Sequence, residues 1–195
     1  MFLAILRSAR TGDIWSEITR RDCRIVWHKL IWFPLHVPKY AMVAWFAILN
    51  RFATKDRLRR MGTDMDSVCA LCADADKSKN HIFFECAFSV RVWSVVLGLC
   101  GLDRSTLSWD QELDWAVSCL KDKCLTVKLL KLAWNAFIYC IWEECYMGLF
   151  GGSIRSQCDI FYSLKEIFGF ILYGRKFDRT DPTNAKLCIE WDLLD

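Results

Sequence analysis

Proline and glycine are scarce in this sequence, with 3 prolines and 9 glycines among 195 residues. Because these two residues interrupt helices, their scarcity permits long helical segments. The sequence also lacks repeats and low-complexity segments, and 54% of its residues are hydrophobic and 14% aromatic. This composition excludes a disordered protein. A chain of this length is expected to form one ordinary domain, or a domain with an appendage.

Long uninterrupted apolar runs are missing as well. No run without a charged residue is longer than 11 residues, the length of the apolar run at residues 132–142, whereas a membrane-spanning helix needs about 20 apolar residues. Most of the 11 cysteines lie within apolar periodic stretches, which favours reduced, buried thiols over a disulfide framework. The apolar start of the sequence is cut short by Arg7 and lacks the order of a signal peptide. We therefore expect no membrane contact and a nuclear or cytoplasmic location, not secretion.

Apolar residues at helical spacing predict helices along most of the chain, and no segment alternates convincingly with the period of a β-strand. Pro38 is suited to the first position of a helix that continues through residues 41–49 and is buried nearly all round. A second, basic helix is expected from the Thr54 cap to about Met61. Further helices are expected over residues 87–99, after the Ser108–Gln111 capping box, over 126–149, and from about 160 to 172.

The segment between residues 69 and 86 fits none of these helices. It contains the pattern C-x2-C-x8-H-x4-C, formed by Cys69, Cys72, His81 and Cys86. Two cysteines separated by two residues can bind one ion from a tight turn, and a histidine and a cysteine five apart can reach it from about one helical turn. Four N and S ligands with no open position form a closed tetrahedral zinc site, which is structural and not catalytic. Zinc is therefore the expected cofactor.

A chance occurrence is the alternative interpretation of this pattern. Eleven cysteines make an accidental C-x-x-C pair easy to obtain, and only the added histidine and third cysteine strengthen the zinc prediction. His28 and His36 are interpreted as packed or exposed rings and not as ligands. The other eight cysteines are expected to be core residues or incidental: Cys23, Cys100, Cys119, Cys124, Cys140, Cys145, Cys158 and Cys188.

Positive charge is concentrated in the first third of the chain. Residues 1–60 hold 12 Lys and Arg against 4 Asp and Glu, although the net charge of the whole chain is only +3. Such an asymmetry indicates a polyanionic partner for one face. The candidate nucleic-acid-binding residues are Arg51, Lys55, Arg57, Arg59 and Arg60. Three of them, Arg51, Lys55 and Arg59, share one helical face. A solvated surface without a ligand is the alternative interpretation.

Several short motifs follow one another in a characteristic order. They are W-H-K-L-I-W at 27–32, V-P-K at 37–39, A-W at 44–45, C-A-L-C at 69–72, H-I-F-F-E-C at 81–86 and V-W at 92–93. Their order and spacing resemble the reverse transcriptase zinc-binding domain of plant LINE-type (non-LTR) retrotransposons, over roughly residues 15–100. The resemblance implies that Cys69, Cys72, His81 and Cys86 bind zinc and that the domain helps to hold the nucleic acid template. One departure is Glu144-Cys145, which stands where the family has Arg-Asn.

The sequence thus predicts an all-α fold, an irregular helical domain with a small CCHC zinc-knuckle insert and a C-terminal helical extension. The expected segments are an N-terminal segment at 1–14, the zinc-binding domain at 15–100, the helical extension at 101–174 and a C-terminal tail at 175–195.

The expected function is a non-catalytic zinc-binding module derived from a retroelement reverse-transcriptase protein. It is expected to bind RNA or DNA weakly and in a salt-sensitive way through the basic face. The sequence has no paired aspartates after an aromatic residue, no G-x-x-x-x-G-K loop and no G-x-S-x-G elbow, so an enzyme is not expected. The alternative is a structural or protein-interaction fragment, a retroelement remnant that contacts a protein partner through exposed apolar surface and no longer binds nucleic acid.

Overall fold

The structure is a computed structural model that describes residues 26–52, 68–74, 78–149 and 151–193. Within these ranges the chain is mostly helical and contains no β-strand, which confirms the all-α prediction. The helices are α1 (His28–Ile31), α2 (Pro38–Ile48), α3 (Ala87–Leu99), α4 (Trp109–Cys119), α5 (Leu125–Leu149), α6 (Gln157–Leu172) and α7 (Pro182–Glu190). A π-helical turn (His81–Glu85) immediately precedes α3.

The helix ends follow local signals in the sequence. Helix α2 begins at Pro38, where the missing N–H of proline is harmless. Helix α4 begins with the predicted capping box, in which the backbone N–H of Ser108 donates to Gln111 Oε1 at 3.3 Å. Gly101 adopts a φ of +74° just after α3, a conformation that glycine accepts readily and other residues do not. The predictions for α3, α4, α5 and α6 are therefore confirmed to within a few residues.

Helix α5 is the centre of the core, because every side chain from Leu129 to Ile141 is buried. Its aromatic residues join the other helices: the Phe137 ring lies 5.0 Å from the Trp93 ring of α3, and the Trp134 ring lies 5.9 Å from the Trp109 ring of α4. Helices α2, α6 and α7 also pack against α5. One continuous hydrophobic cluster includes residues from all seven helices.

The same helix has the length and composition of a membrane span over Leu125–Gly148, with a mean hydropathy of 1.2 in an 18-residue window. It is the one such helix among the residues that the structure describes. However, 83% of the window is buried inside the fold. Central helices of packed helical cores have this composition because they are surrounded by other helices.

The prediction that α2 is buried nearly all round is wrong. Ala41, Ala44 and Ala47 face the core, whereas the side chain of Met42 is 46% exposed and Leu49 is also exposed. The reason is that α2 packs on α5 along a single side. Small side chains on that side allow the two helices to approach closely, while Trp45 and Ile48 are only partly buried against the core and Met42 is left exposed. The predicted basic helix from Thr54 to Met61 lies outside the described residues.

Residues 175–195 contain a helix that the sequence analysis did not assign. Helix α7 begins at an Asp181 cap, whose side chain accepts a hydrogen bond from the Thr183 N–H at 2.9 Å. Trp191, just after α7, is fully buried and its ring stacks on Phe168 of α6 at 4.7 Å. The segment is thereby packed onto α6, and an Asp-Pro pair was the local signal for the start of a helix.

A buried ion pair fixes the loop before α4. The Nη1 and Nη2 atoms of Arg104 each donate to the carboxylate of Glu112 at 2.7 Å, and the Glu112 side chain is fully buried. The backbone N–H of Leu107 donates to the same carboxylate at 2.9 Å. A bidentate pair of this kind is strong, and a buried carboxylate without its partner is strongly unfavourable.

We expect Arg104→Met to lower the free energy of unfolding by about 3 kcal/mol or more, because it leaves the Glu112 charge buried and without its cation. The matched control is Lys165→Met, since Lys165 pairs at 2.9 Å with the exposed carboxylate of Asp192. This control should change stability by less than about 1 kcal/mol. Urea unfolding followed by circular dichroism measures both. Equal effects of the two substitutions would contradict the importance of the buried pair.

Candidate metal centre

The structure brings the four predicted ligand residues together. The ligand atoms of Cys69, Cys72, His81 and Cys86 all lie within 4.8 Å of one another, and Cys72 Sγ lies 3.2 Å from His81 Nε2. A tetrahedral zinc ion with Zn–S bonds of about 2.3 Å requires sulfur atoms about 3.8 Å apart. The atoms would need to move inward by about 1 Å at most to meet that geometry. Three thiols and one imidazole of this spacing therefore fit zinc in both chemistry and size.

The two cysteines of the first pair lie on a tight turn. The backbone N–H of Ala73 donates to the carbonyl of Cys69 at 2.9 Å, which closes the turn around the pair. Ala73 itself has a φ of +55°, a left-handed conformation that is unfavourable by about 1 kcal/mol for a residue with a Cβ. The turn therefore includes one mildly strained residue, Ala73, and its closed form places the Cys69 and Cys72 side chains on the same side.

The histidine and the third cysteine lie at the two ends of the π-helical turn. The Cys86 N–H donates to the His81 carbonyl at 2.6 Å, which is a hydrogen bond between residues five apart. Such a bond brings those two residues to the same side of the turn. In a regular α-helix with 3.6 residues per turn they would be about 140° apart. The π-helical geometry is thus what allows the H-x4-C spacing to form half of a metal site.

Apolar side chains between the two ligands anchor this turn in the core. Ile82, Phe83 and Phe84 are all buried. The Phe83 ring lies 5.2 Å from that of Trp109, and the Phe84 ring lies 5.5 Å from that of Phe137. Because these rings are fixed by α4 and α5, the orientation of the turn is fixed as well.

Hydrogen bonds satisfy the backbone groups that the irregular turn leaves free. Ser89, which is fully buried in α3, donates its hydroxyl to the Ile82 carbonyl at 2.6 Å. The backbone N–H of His81 donates to Ser78 Oγ at 3.0 Å. Because a buried carbonyl without a partner is unfavourable, Ser89 is a positioning residue for the metal centre. The sequence analysis missed it because a serine in an apolar helix carries no distinctive signal.

Backbone N–H groups surround the two buried sulfurs. Cys86 is the N-cap of α3, and the nearby N–H groups of Phe88 and Ser89 act to lower the pKa of its thiol. Those of Leu71 and Cys72 act in the same way on the pKa of Cys69. The pKa of Cys69 is lowered to about 4, chiefly because the Cys86 side chain hydrogen-bonds to it. The same contact, together with burial, raises the pKa of Cys86.

Donors of this kind stabilise thiolates, which are the form of cysteine that binds metals. The amides around Cys69 and Cys86 therefore prepare the two buried sulfurs for a metal ion.

A close contact joins the cysteine turn to α5. A Cβ atom placed on Gly148 would lie 2.7 Å from the Ala70 Cβ and 3.1 Å from the Ile154 side chain. Contacts below about 3 Å are not tolerated between carbon atoms, so only glycine allows the turn to lie this close to the helix. The sequence analysis used the Gly151-Gly152 pair as a helix end and gave Gly148 no role.

Glu144, one of the two residues where the sequence departs from the expected resemblance, has a structural role. Glu144 is buried and accepts hydrogen bonds from the backbone N–H of Arg155 at 2.7 Å and from Arg155 Nε at 2.6 Å. Cys145 is also buried. The acidic residue at position 144 therefore ties the end of α5 to the loop that follows it, a contact that an arginine there would not make with Arg155.

Of the five predicted nucleic-acid-binding residues, the structure describes only Arg51. It is exposed just after α2, whereas Lys55, Arg57, Arg59 and Arg60 lie outside the described residues. Between Val26 and Phe52 every charged residue is basic, and Lys29 and Lys39 are exposed as well as Arg51. The described part of this basic sequence segment therefore exposes three positive charges.

The remaining cysteines that the structure describes do not join the metal centre. Cys100, Cys140, Cys145 and Cys188 are buried. Cys119, Cys124 and Cys158 are exposed. Cys23 lies outside the described residues, and within the described part of the chain no second cluster of metal-binding side chains occurs.

A family model described as zinc-binding in reverse transcriptase matches residues 10–93. The match covers all four candidate ligands, and it is to a zinc-binding segment and not to a catalytic domain. The predicted resemblance is thereby confirmed at the level of this segment, while an origin from plant LINE elements stays a prediction. Comparisons with curated proteins and with solved structures find no match.

We expect Ser89→Ala to lower the free energy of unfolding by about 1–3 kcal/mol, because the Ile82 carbonyl loses its buried partner. Zinc affinity should fall about tenfold, as is typical when a group that orients a ligand is removed. Competition with a chromogenic chelator measures the affinity. Ser94→Ala on the exposed side of α3 is the control and should change neither quantity. Unchanged zinc affinity in Ser89→Ala would contradict the positioning role.

Gly148→Ala should weaken zinc binding and lower stability by about 1–3 kcal/mol, since the added Cβ displaces the cysteine turn. The matched control is Gly98→Ala in α3, where a Cβ would meet nothing within 4 Å. That substitution should raise stability by about 0.5–1 kcal/mol. Chelator competition and thermal unfolding distinguish the two. Tighter zinc binding in Gly148→Ala would show that the close contact is unimportant.

Proposed function

We propose that this chain is a zinc-stabilised, non-catalytic module that binds nucleic acid through its basic N-terminal surface. The observation that supports it best is the convergence of Cys69, Cys72, His81 and Cys86 within a segment that matches a reverse-transcriptase zinc-binding family. When bound, zinc would supply a crosslink between the cysteine turn and the π-helical turn. Because the two turns are separated by a polar loop, that crosslink would stabilise a segment with little core of its own.

A structural role for the metal follows from the ligand count. Catalytic zinc sites have three protein ligands and an open position for water, whereas this cluster offers four ligands. Cys69 and Cys86 are also buried, which restricts the approach of a substrate. These features support a module that binds and do not favour one that catalyses hydrolysis.

Nucleic acid is the partner that the charge distribution favours. Lys29, Lys39 and Arg51 are exposed, and the sequence between Val26 and Phe52 contains no acidic residue. Lysine and arginine contacts to phosphates give binding that is salt-sensitive and largely independent of sequence. We propose that the surface continues through Lys55, Arg57, Arg59 and Arg60. Both RNA and DNA fit this chemistry.

Zinc content tests the metal part of the proposal. We expect about one zinc per chain by elemental analysis of the purified protein, and loss of both the zinc and the melting transition in Cys69→Ser/Cys72→Ser. The matched control is Cys119→Ser/Cys124→Ser, which removes two exposed cysteines and should retain the zinc. A protein that folds without zinc, or equal zinc content in both variants, would contradict the proposal.

Salt-dependent binding tests the nucleic-acid part. Fluorescence anisotropy with single-stranded RNA and DNA of one sequence should show weak binding, with an affinity that falls as salt rises. Replacing Arg51, Lys55, Arg57, Arg59 and Arg60 by Ala should make the salt dependence shallower, by about 0.7 in log–log slope for each phosphate that is no longer neutralised. Replacing the exposed Lys121, Lys123 and Lys186 should leave the slope unchanged. Absence of binding to either probe would refute this part and leave the zinc proposal standing.

A further inference from the structure

Helix α6 carries three exposed aromatic side chains on the side that faces away from the core. Tyr162, Phe170 and Tyr173, which directly follows the helix, are 65%, 86% and 77% exposed. On the opposite side, Ile160, Leu164, Phe168 and Leu172 are buried against the rest of the fold. Single exposed aromatics are common, but a cluster on one helix face is typical of an interaction surface.

Gly169 lies between Tyr162 and Tyr173 along the helix, at the edge of this exposed side, and is itself half-buried; at seven residues after Tyr162 and four before Tyr173 it shares a helical face with both. A Cβ at Gly169 would meet nothing within 4 Å. Glycine inside a helix is less stable than alanine by about 1 kcal/mol, and no contact within the described chain requires it here. A residue without a side chain, next to aromatic side chains, is instead suited to the close approach of a second helix.

Charged residues give this side a polarity along the helix axis. Asp159 is exposed near its start and Glu166 in its second half, and Arg175 and Lys176 are exposed just beyond its C-terminal end. A second copy of the helix running antiparallel, with the twofold axis near Gly169, would bring Glu166 of each copy towards Arg175 and Lys176 of the other. Two identical surfaces related in this way form an isologous twofold interface. The two carboxylates would repel nucleic-acid phosphates, so a protein surface fits better than RNA or DNA.

We propose that the α6 face, defined as Tyr162, Glu166, Gly169, Phe170 and Tyr173, is the interface of a homodimer in which two α6 helices pack antiparallel with Gly169 near the twofold axis. A single helix pair buries less than the roughly 800 Å² per partner of a standard interface. The dimer is therefore weak and forms in the micromolar range of about 10⁻⁶ M. The α6 face lies outside residues 10–93, so it is independent of the proposed zinc and nucleic-acid functions.

Sedimentation equilibrium of the full chain over the micromolar range tests this interface. The wild-type chain should show a reversible monomer–dimer equilibrium, and Phe170→Asp should raise the dimer dissociation constant by about 30-fold or more, as loss of a central aromatic residue does. Val95→Asp is the control, because Val95 is an exposed apolar residue on α3, and it should dimerise like the wild type. Melting temperatures of Phe170→Asp and Val95→Asp equal to that of the wild type would show that both variants are folded.

Crosslinking tests the antiparallel arrangement. In a chain with the exposed Cys119, Cys124 and Cys158 replaced by Ser, Gly169→Cys should form a disulfide-linked dimer on mild oxidation. The reason is that a twofold axis near this residue brings the two Cα atoms within about 7 Å. Ser118→Cys, exposed on α4, should stay monomeric.

A wild-type chain that is monomeric throughout, or a dimer that Phe170→Asp leaves intact, would overturn the proposal. So would a monomer whose binding to single-stranded RNA is abolished by Phe170→Asp, because the α6 face would then be a stacking surface for bases.

Discussion

Three buried apolar side chains lie between His81 and Cys86, and their packing determines where both ligands point. Phe83 and Phe84 contact Trp109, Trp93 and Phe137, which belong to three different helices. The rings cannot rotate without opening a cavity in a close-packed core. The turn therefore keeps the π-helical form, which places His81 and Cys86 on the same side. The metal centre thus depends on the aromatic core at least as much as on the ligand spacing.

Helix α5 also supports the metal centre, although it lies beyond the segment matched by the zinc-binding family. Its Phe137 stacks on Phe84 of the π-helical turn, and its Asn135 side-chain amide donates to the Leu30 carbonyl at 3.0 Å. Near its C-terminal end, Gly148 allows the cysteine turn to approach. The residues on both sides of position 93 therefore share one core. A fragment that ended at the family boundary would lose the helix against which the zinc segment packs, so the zinc segment and α5 stabilise each other.

Local and spacing signals in the sequence predicted much of this arrangement. The Ser108–Gln111 capping box and apolar periodicity were sufficient for α3 to α6, and the C-x2-C-x8-H-x4-C pattern identified the residues that the structure brings together. Ser89, Gly148 and the π-helical form were not predicted, because each matters through a tertiary contact with another element or through backbone geometry. The burial of α2 was overestimated, since composition shows how apolar a helix is but not how many sides it packs on. Helix α7 was missed although Asp181-Pro182 marks its start.

Zinc K-edge X-ray absorption spectroscopy of the purified chain tests the central claim most directly. A metal bound by Cys69, Cys72, His81 and Cys86 should give a scattering shell of three sulfurs at about 2.3 Å and one nitrogen at about 2.0 Å, with no water ligand. The Cys119→Ser/Cys124→Ser variant should give the same spectrum. A shell dominated by oxygen, or one with fewer than three sulfurs, would contradict a closed structural zinc site at these four residues.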